Sequence, residues 1–436
     1  MALTRPRTDL ARPTRLAATL YAYVFCTNLI LLYPLYALLF TDTGLTTAQV
    51  SSVLALWALS ALVLEVPSGV WADVVSRRAL LCVAPLFAAA GFACWAFVPA
   101  YWSFALGAVL WGIQGALMSG AMEALVYTEL DLAGAADRYA TVIGRARTFE
   151  VAAVPLAMVA AAPVFAYGGY PLVGTASIAA CVVAALVALT FPEHRRPPTG
   201  TAASVPVEAA AHAGPLTDAT QHAGSAAPPS PATDDPPDAS GETLGYLGTL
   251  RAGLAEVRAN RPVRLTVLAF PAVIAIWGAL DEYVPILVRD TGVAAASVPL
   301  FVLLVWTGVT VGGLLAGAAR NIAGRGMAAV LTAAGVALAA GALSRVPAGI
   351  VLIAVSFALF QIATILVEAR LQHQITGPSR ATVTSVANLA LGVGTIVVYG
   401  LYAALATVAP HSVVFAVAML PYLGVAMAYL RTKSTP

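Results

Sequence analysis

Apolar residues in this chain run on for about twenty positions at a time, and short polar turns separate the runs. Twelve such runs can be traced: residues 16–40, 47–71, 79–98, 101–126, 139–165, 170–191, 264–288, 295–319, 326–344, 347–374, 379–407 and 411–430. A helix crosses the hydrocarbon core of a bilayer with about 20 apolar residues. The pattern therefore predicts twelve membrane-spanning helices. The runs are continuous rather than alternating, which excludes a β-barrel. The first follows Arg5, Arg7, Arg12 and Arg15, as a secretory signal would. It is too long for a signal's apolar region and lacks a small-x-small cleavage site, so it reads as the first helix.

The longest polar stretch divides the chain. Residues 1–192 form a first six-helix bundle, 193–260 a linker and 261–436 a second bundle. Within the linker, 197–243 is rich in Pro, Ala, Ser, Thr and Asp and is expected to be disordered. Next, Leu247, Leu250, Leu254 and Val257 recur at helical spacing among Arg251, Glu256 and Arg258, predicting a short interfacial helix.

The two bundles echo one another at an offset of roughly 245 residues. Asp42-Thr43-Gly44 returns as Asp290-Thr291-Gly292, Gln114 as Gln361, Glu123 as Glu368, and Ala140-Thr141-Val142 as Ala381-Thr382-Val383. A unit this long is a duplicated half-protein rather than a solenoid repeat. Parallel halves of apolar helices are a plan used by secondary transporters.

Composition agrees with the pattern. Hydrophobic residues make up 60% of the chain and charged residues 10%; mean hydropathy is +0.85. Soluble domains carry about 25% charged residues, so the expected surroundings are lipid. The net charge of +2 gives no reason to invoke nucleic acid. Cys26, Cys82, Cys94 and Cys181 all lie in apolar runs and read as small hydrophobes. With both termini in the cytoplasm, every basic residue except Arg289 and Arg345 falls on the inner side. A multi-pass protein of the cell membrane, monomeric and without cofactor or metal, is the expectation.

The turn after the second run reads Gly69-Val-Trp-Ala-Asp73-Val-Val-Ser-Arg77-Arg78. Gly69 would let two helices approach closely. Asp73 at a helix end could face a helix N-terminus across the interface between halves. Arg77 and Arg78 could pair with carboxylates as part of a latch between halves, or serve only as positive-inside anchors. The segment resembles the G-x-x-x-D-R-x-G-R-R loop of the major facilitator superfamily, matching at Gly69, Asp73, Arg77 and Arg78 and departing at Val74 and Ser76. The equivalent turn of the second half keeps Gly313, Gly317 and Arg325 without an Asp. The resemblance, strongest to bacterial drug and metabolite exporters, implies two six-helix bundles around a central cavity. It also implies a latch of Gly69, Asp73, Arg77 and Arg78 with Glu123 on the fourth helix.

Ionisable groups inside spans are costly and are candidates for function. Glu65, Glu123 and Glu368 lie near inner helix ends and read as structural, with a coupling role for Glu123 as the alternative. Glu150 lies about 16 Å into the fifth span at 1.5 Å per residue, and Arg147 shares its face. The two could form a structural salt bridge or a proton site. Asp281 and Glu282 fall in the outer third of the seventh span, where one could face the cavity and the other the interface or Arg289. In the superfamily, spans 1, 4, 7 and 10 line the cavity. Their midpoints are Asn28, Gln114, Trp277 and Gln361, with Trp111 one turn before Gln114. The amides could face a wet cavity or join helices by hydrogen bonds. All four midpoints are neutral, which disfavours a highly charged substrate.

No HExxH motif, no Ser–His constellation within a span and no P-loop occur, which argues against a membrane enzyme or an ATP-driven pump. The expected function is a secondary transporter of a small organic molecule, with protons as coupling partner and efflux as direction. Drug exporters carry Arg where this chain has Trp111, and their fifth-span Gly-Pro signature is not matched. A transport-fold sensor or an uncoupled facilitator or importer is the alternative.

Overall fold

The computed structural model of the chain describes residues 11–194, 261–320, 322, 324–374 and 380–431. The expected disordered linker and interfacial helix lie outside these residues. Among the described residues all regular structure is helical. The first half holds α1 (Ala11–Asn28), α2 (Tyr36–Asp42), α3 (Thr47–Val74), α4 (Arg77–Phe97), α5 (Tyr101–Leu132) and α6 (Tyr139–Ala188). The second holds α7 (Arg261–Asp281), α8 (Val284–Asp290), α9 (Val298–Ala316), α10 (Gly324–Ser344), α11 (Gly349–Gln374), α12 (Arg380–Leu405), α13 (His411–Val417) and α14 (Met419–Arg431).

Each of the twelve apolar runs coincides with helix, but three spans are interrupted. The first breaks between α1 and α2, where Pro34 cannot donate an amide, and the seventh between α7 and α8, where Pro285 opens the new helix. The last divides at Ala418. Spans five and six run together as α6, with a reversal at Gly169, whose φ of 61° is one that side-chain-bearing residues rarely adopt. The duplication is legible in the backbone. Asp42-Thr43-Gly44 and Asp290-Thr291-Gly292 both end the short second piece of a broken span, with glycine φ of 95° and 87°.

Within the first half α3 packs on α5, α4 on α5 and α6, and α1 on α6. In the second, α9 and α10 pack on α11, α10 on α14, and α7 on α11 and α12. The halves meet through α3 with α12, α6 with α9, and α2 with α8. Lipid tails are as apolar as the helices, so close backbone approach supplies much of the packing energy. Along α9, Gly308 and Gly312 lie so near α11 that a Cβ on either would be 2.2 Å from the carbonyl oxygen of Ala354 or Ala358. An aromatic cluster of Tyr36, Phe40, Phe92, Trp95 and Phe104 fills the first half. Large apolar side chains such as Leu314, Leu401 and Trp102 face outward, an arrangement that suits lipid rather than water.

Candidate functional site

A cavity opens among α1, α3, α5 and α6, with one wall residue, Trp306, from α9. Its polar side chains are Thr27, Asn28, Glu65, Gln114, Ser119, Glu123, Arg147 and Glu150; its aromatic walls are Tyr33, Trp57, Trp111 and Trp306. Trp57 stacks on Trp111 at 5.2 Å between centroids, and Tyr33 meets Trp306 edge to face at 5.6 Å.

Arg147 organises the charge. Its Nη1 donates to Glu150 Oε2 at 3.1 Å, and its Nη2 lies 3.6 Å from Glu123 Oε1. The spacing of three residues along α6 places Arg147 and Glu150 on one face, and α5 brings Glu123 to the other side of the guanidinium. The Glu150 and Glu123 side chains are only 9% and 12% exposed, so the shared guanidinium offsets the cost of burying two carboxylates. Glu65 has no ion pair or hydrogen bond through its carboxylate among the described residues.

The amide groups are turned in a defined way. Asn28 lines the cavity, and one of its Nδ2 hydrogens donates to the Val24 carbonyl at 2.9 Å. Gln114 Nε2 lies against Met118 Sδ at 2.8 Å, and Gln114 Oε1 has no donor among the described residues. The hydroxyls of Thr27 and Ser119 donate to backbone carbonyls of their own helices.

Beyond Tyr33 the halves close on each other. Tyr33 donates to Asp281 Oδ2 at 3.0 Å, and Ser51 and Tyr283 share a hydrogen bond of 2.6 Å. Further out Arg289 lies 3.8 Å from Asp42, which also accepts from the Tyr170 hydroxyl at 2.6 Å. The two tyrosines stand at the two span breaks and bond in opposite directions across the interface.

Several expected site residues lie elsewhere. Trp277 is 1% exposed in the second-half core: its indole donates to Thr364 Oγ1 at 3.2 Å and its ring meets Phe357 edge to face. Gln361 is fully buried away from the cavity, and neither amide atom has a hydrogen-bond partner among the described residues. Counting from helix ends gives depth but not azimuth, and each residue turns by 100°. Asp281 belongs to the closure between halves rather than to the cavity wall, and Arg289 pairs with Asp42 rather than with Asp281 or Glu282.

In the loop motif, Arg77 does not reach Glu123. Its Nη1 donates to the Ala124 carbonyl at 3.0 Å and to Thr128 Oγ1 at 2.8 Å, both on α5, while its backbone amide donates to Glu193. Glu123 is instead taken by Arg147. Arg78 is exposed; a Cβ on Gly69 would meet nothing within 4 Å, although a Cβ on Gly120 of α5 would lie 3.8 Å from the Gly69 Cα. The Asp73 side chain lies outside the described residues. The neutral centre expected from the four midpoints is also corrected, since three carboxylates and one guanidinium line the cavity. Tyr33, Trp57 and Trp306 escaped the sequence reading because an aromatic residue in an apolar run carries no mark of which way it points.

A polar, aromatic-walled cavity in the first apolar bundle, with Trp306 of the second in its wall and contacts between the halves at one end, fits a membrane transport protein. The sequence profile of the Major Facilitator Superfamily matches residues 17–399, and the chain belongs to that superfamily. Solved structures with the same fold include the nucleoside transporter NupG, with TM-score 0.68, 15% identity and coverage of 97% of this chain and 98% of that one. A D-xylose-proton symporter follows at TM-score 0.61 and 13% identity, covering 97% and 98%. The E. coli fucose:proton symporter FucP gives TM-score 0.53 and 14% identity, covering 99% and 100%. At these identities the likeness concerns the fold. A search of curated proteins gives no significant match.

Proposed function

We propose that the protein is a secondary active transporter that moves a small organic molecule across the cytoplasmic membrane by alternating access. In this reading both termini and the Arg77 end are cytoplasmic, each bundle is one domain joined by residues 193–260, and a monomer is the working unit. The positive-inside asymmetry of the arginines supports the orientation. The observation that carries the proposal is the cavity itself. It reaches from Glu65, Glu123 and Arg147 up to Tyr33 and Trp306, where the halves are joined by Tyr33–Asp281 and Ser51–Tyr283. With the Arg77 end taken as cytoplasmic, this supports reading the state as inward-facing, with an exchange partner that would break the Tyr33–Asp281 and Ser51–Tyr283 contacts.

Protons are the proposed coupling ion, with Glu150 as carrier, Arg147 as its counter-charge and Asp281 as a second candidate. Coupling needs a group that is charged in one state and neutral in the other. Rocking of α6 against α5 would alter the distances among Glu150, Arg147 and Glu123, which now stand at 3.1 and 3.6 Å. Proton and substrate drawing on one cluster of cavity carboxylates would compete, and this favours exchange and hence efflux.

The test is flux in proteoliposomes with an imposed pH gradient, using solutes selected by thermal stabilisation of the purified protein. Wild type should accumulate at least one of them. Glu150→Gln should still bind it and lose the dependence on the gradient. Binders that never cross would overturn transport; gradient-driven movement in Glu150→Gln would overturn its coupling role.

A further inference from the structure

We infer that the cavity takes an organic cation, a flat apolar body carrying one ammonium group; this deepens the transport reading and rests on it.

Three independent features of the wall support the assignment. The first is charge. Glu65, Glu123 and Glu150 face the cavity against a single cation, Arg147, and that guanidinium is already engaged with two of them. Glu65 has no partner among the described residues. A charge within the bilayer needs a counter-charge or water; an incoming ammonium would supply one to Glu65, whereas an incoming carboxylate would add repulsion.

The second is the direction of the hydrogen-bonding groups. Asn28 spends one N–H on Val24, and the Thr27 and Ser119 hydroxyls donate to their own helices. Gln114 is 8% exposed, and its amide oxygen has no donor among the described residues. The buried amide of a cavity wall thus presents an acceptor to the space it borders. A ligand rich in N–H donors complements such a wall. The Trp306 indole N–H, buried and without an acceptor among the described residues, is the donor the wall offers in return.

The third is shape. Trp57 and Trp111 form a stacked pair at an interplanar angle of 28°, and Trp306 and Tyr33 form a T-shaped pair in the same wall. Aromatic faces bind flat apolar bodies and attract cations through the ring quadrupole.

A matched series tests this on the purified full-length protein: tryptamine, its neutral alcohol analogue tryptophol, and the anion indole-3-propionate. Equilibrium binding is read by calorimetry and by thermal stabilisation at neutral pH. Tryptamine should bind at least tenfold more tightly than either analogue. Glu65→Gln should cut tryptamine affinity at least tenfold and leave tryptophol unchanged, with a cooperative melt to show that the variant folds. Equal binding of all three, no binding of tryptamine, or an unaltered tryptamine affinity in Glu65→Gln would overturn the cation assignment. The transport reading fails separately: tryptamine bound tightly but not carried into proteoliposomes would remove transport and leave the cation site. Movement of a neutral solute without tryptamine binding would do the reverse.

Discussion

Replacing Gly312 with alanine tests how closely α9 and α11 must approach. The new methyl would lie 2.2 Å from the Ala358 carbonyl oxygen, a backbone atom that cannot rotate away. Ordinary contact lies more than about 1 Å further out, so α9 must shift by about that distance. A radial gap of this size forfeits a quarter to a half of the attraction along the contact. Overpacking of this kind costs about 1–3 kcal/mol, and alanine returns up to about 1 kcal/mol as a better helix former than glycine. Net destabilisation of about 1–2 kcal/mol is expected, read as a fall in melting temperature in detergent or nanodiscs. Gly308 faces Ala354 in the same way one turn earlier. A single displacement relieves both clashes, so Gly308→Ala plus Gly312→Ala should cost less than the sum of the two. Gly424→Ala in α14, where a Cβ meets nothing within 4 Å, is the control and should be neutral or slightly stabilising. Because α9 carries Trp306, the shift should also weaken binding to the cavity. Equal melting of Gly312→Ala and Gly424→Ala, or full additivity of the α9 pair, would refute the argument.

The other outcomes concern polar groups. Gln361→Met removes two buried amide atoms without partners; an unmet buried group costs about 1–3 kcal/mol, so the melting temperature should rise, and a fall would show that the amide is satisfied in the membrane. Tyr33→Phe removes a hydroxyl bonded to Asp281 at 3.0 Å across the closed end. It should expose an introduced cysteine at Ser51 to impermeant maleimide from the outer side, and unchanged labelling would count against that contact as a closure. Asp42→Asn touches a pair with both side chains about two-fifths exposed; such pairs contribute about 0–1 kcal/mol, so a melting shift of many degrees would contradict the reading.

Much of this protein follows from its one-dimensional pattern, because a bilayer dictates helix length and forbids unpaired backbone. Twelve spans and the duplication need no knowledge of neighbours, whereas the breaks near Pro34 and Pro285 were not expected, since Pro67 and Pro85 sit inside unbroken helices. The ion pair of Arg147 with Glu150 is also local, since residues three apart on a helix share a face. The sequence likewise pointed to Asn28, Trp111 and Gln114, which do line the cavity. What it could not settle was rotation about each helix axis and which half supplies the wall. Gln114 and Gln361 are equivalent in the repeat, yet one borders the cavity and the other is fully enclosed. Glu123 was matched with the loop arginines, but α5 and α6 pack so that Arg147 reaches it first. Trp306 enters the site from the far half. Such choices depend on how whole helices dock, which is decided by close contacts such as Gly312 against Ala358 between segments distant in sequence.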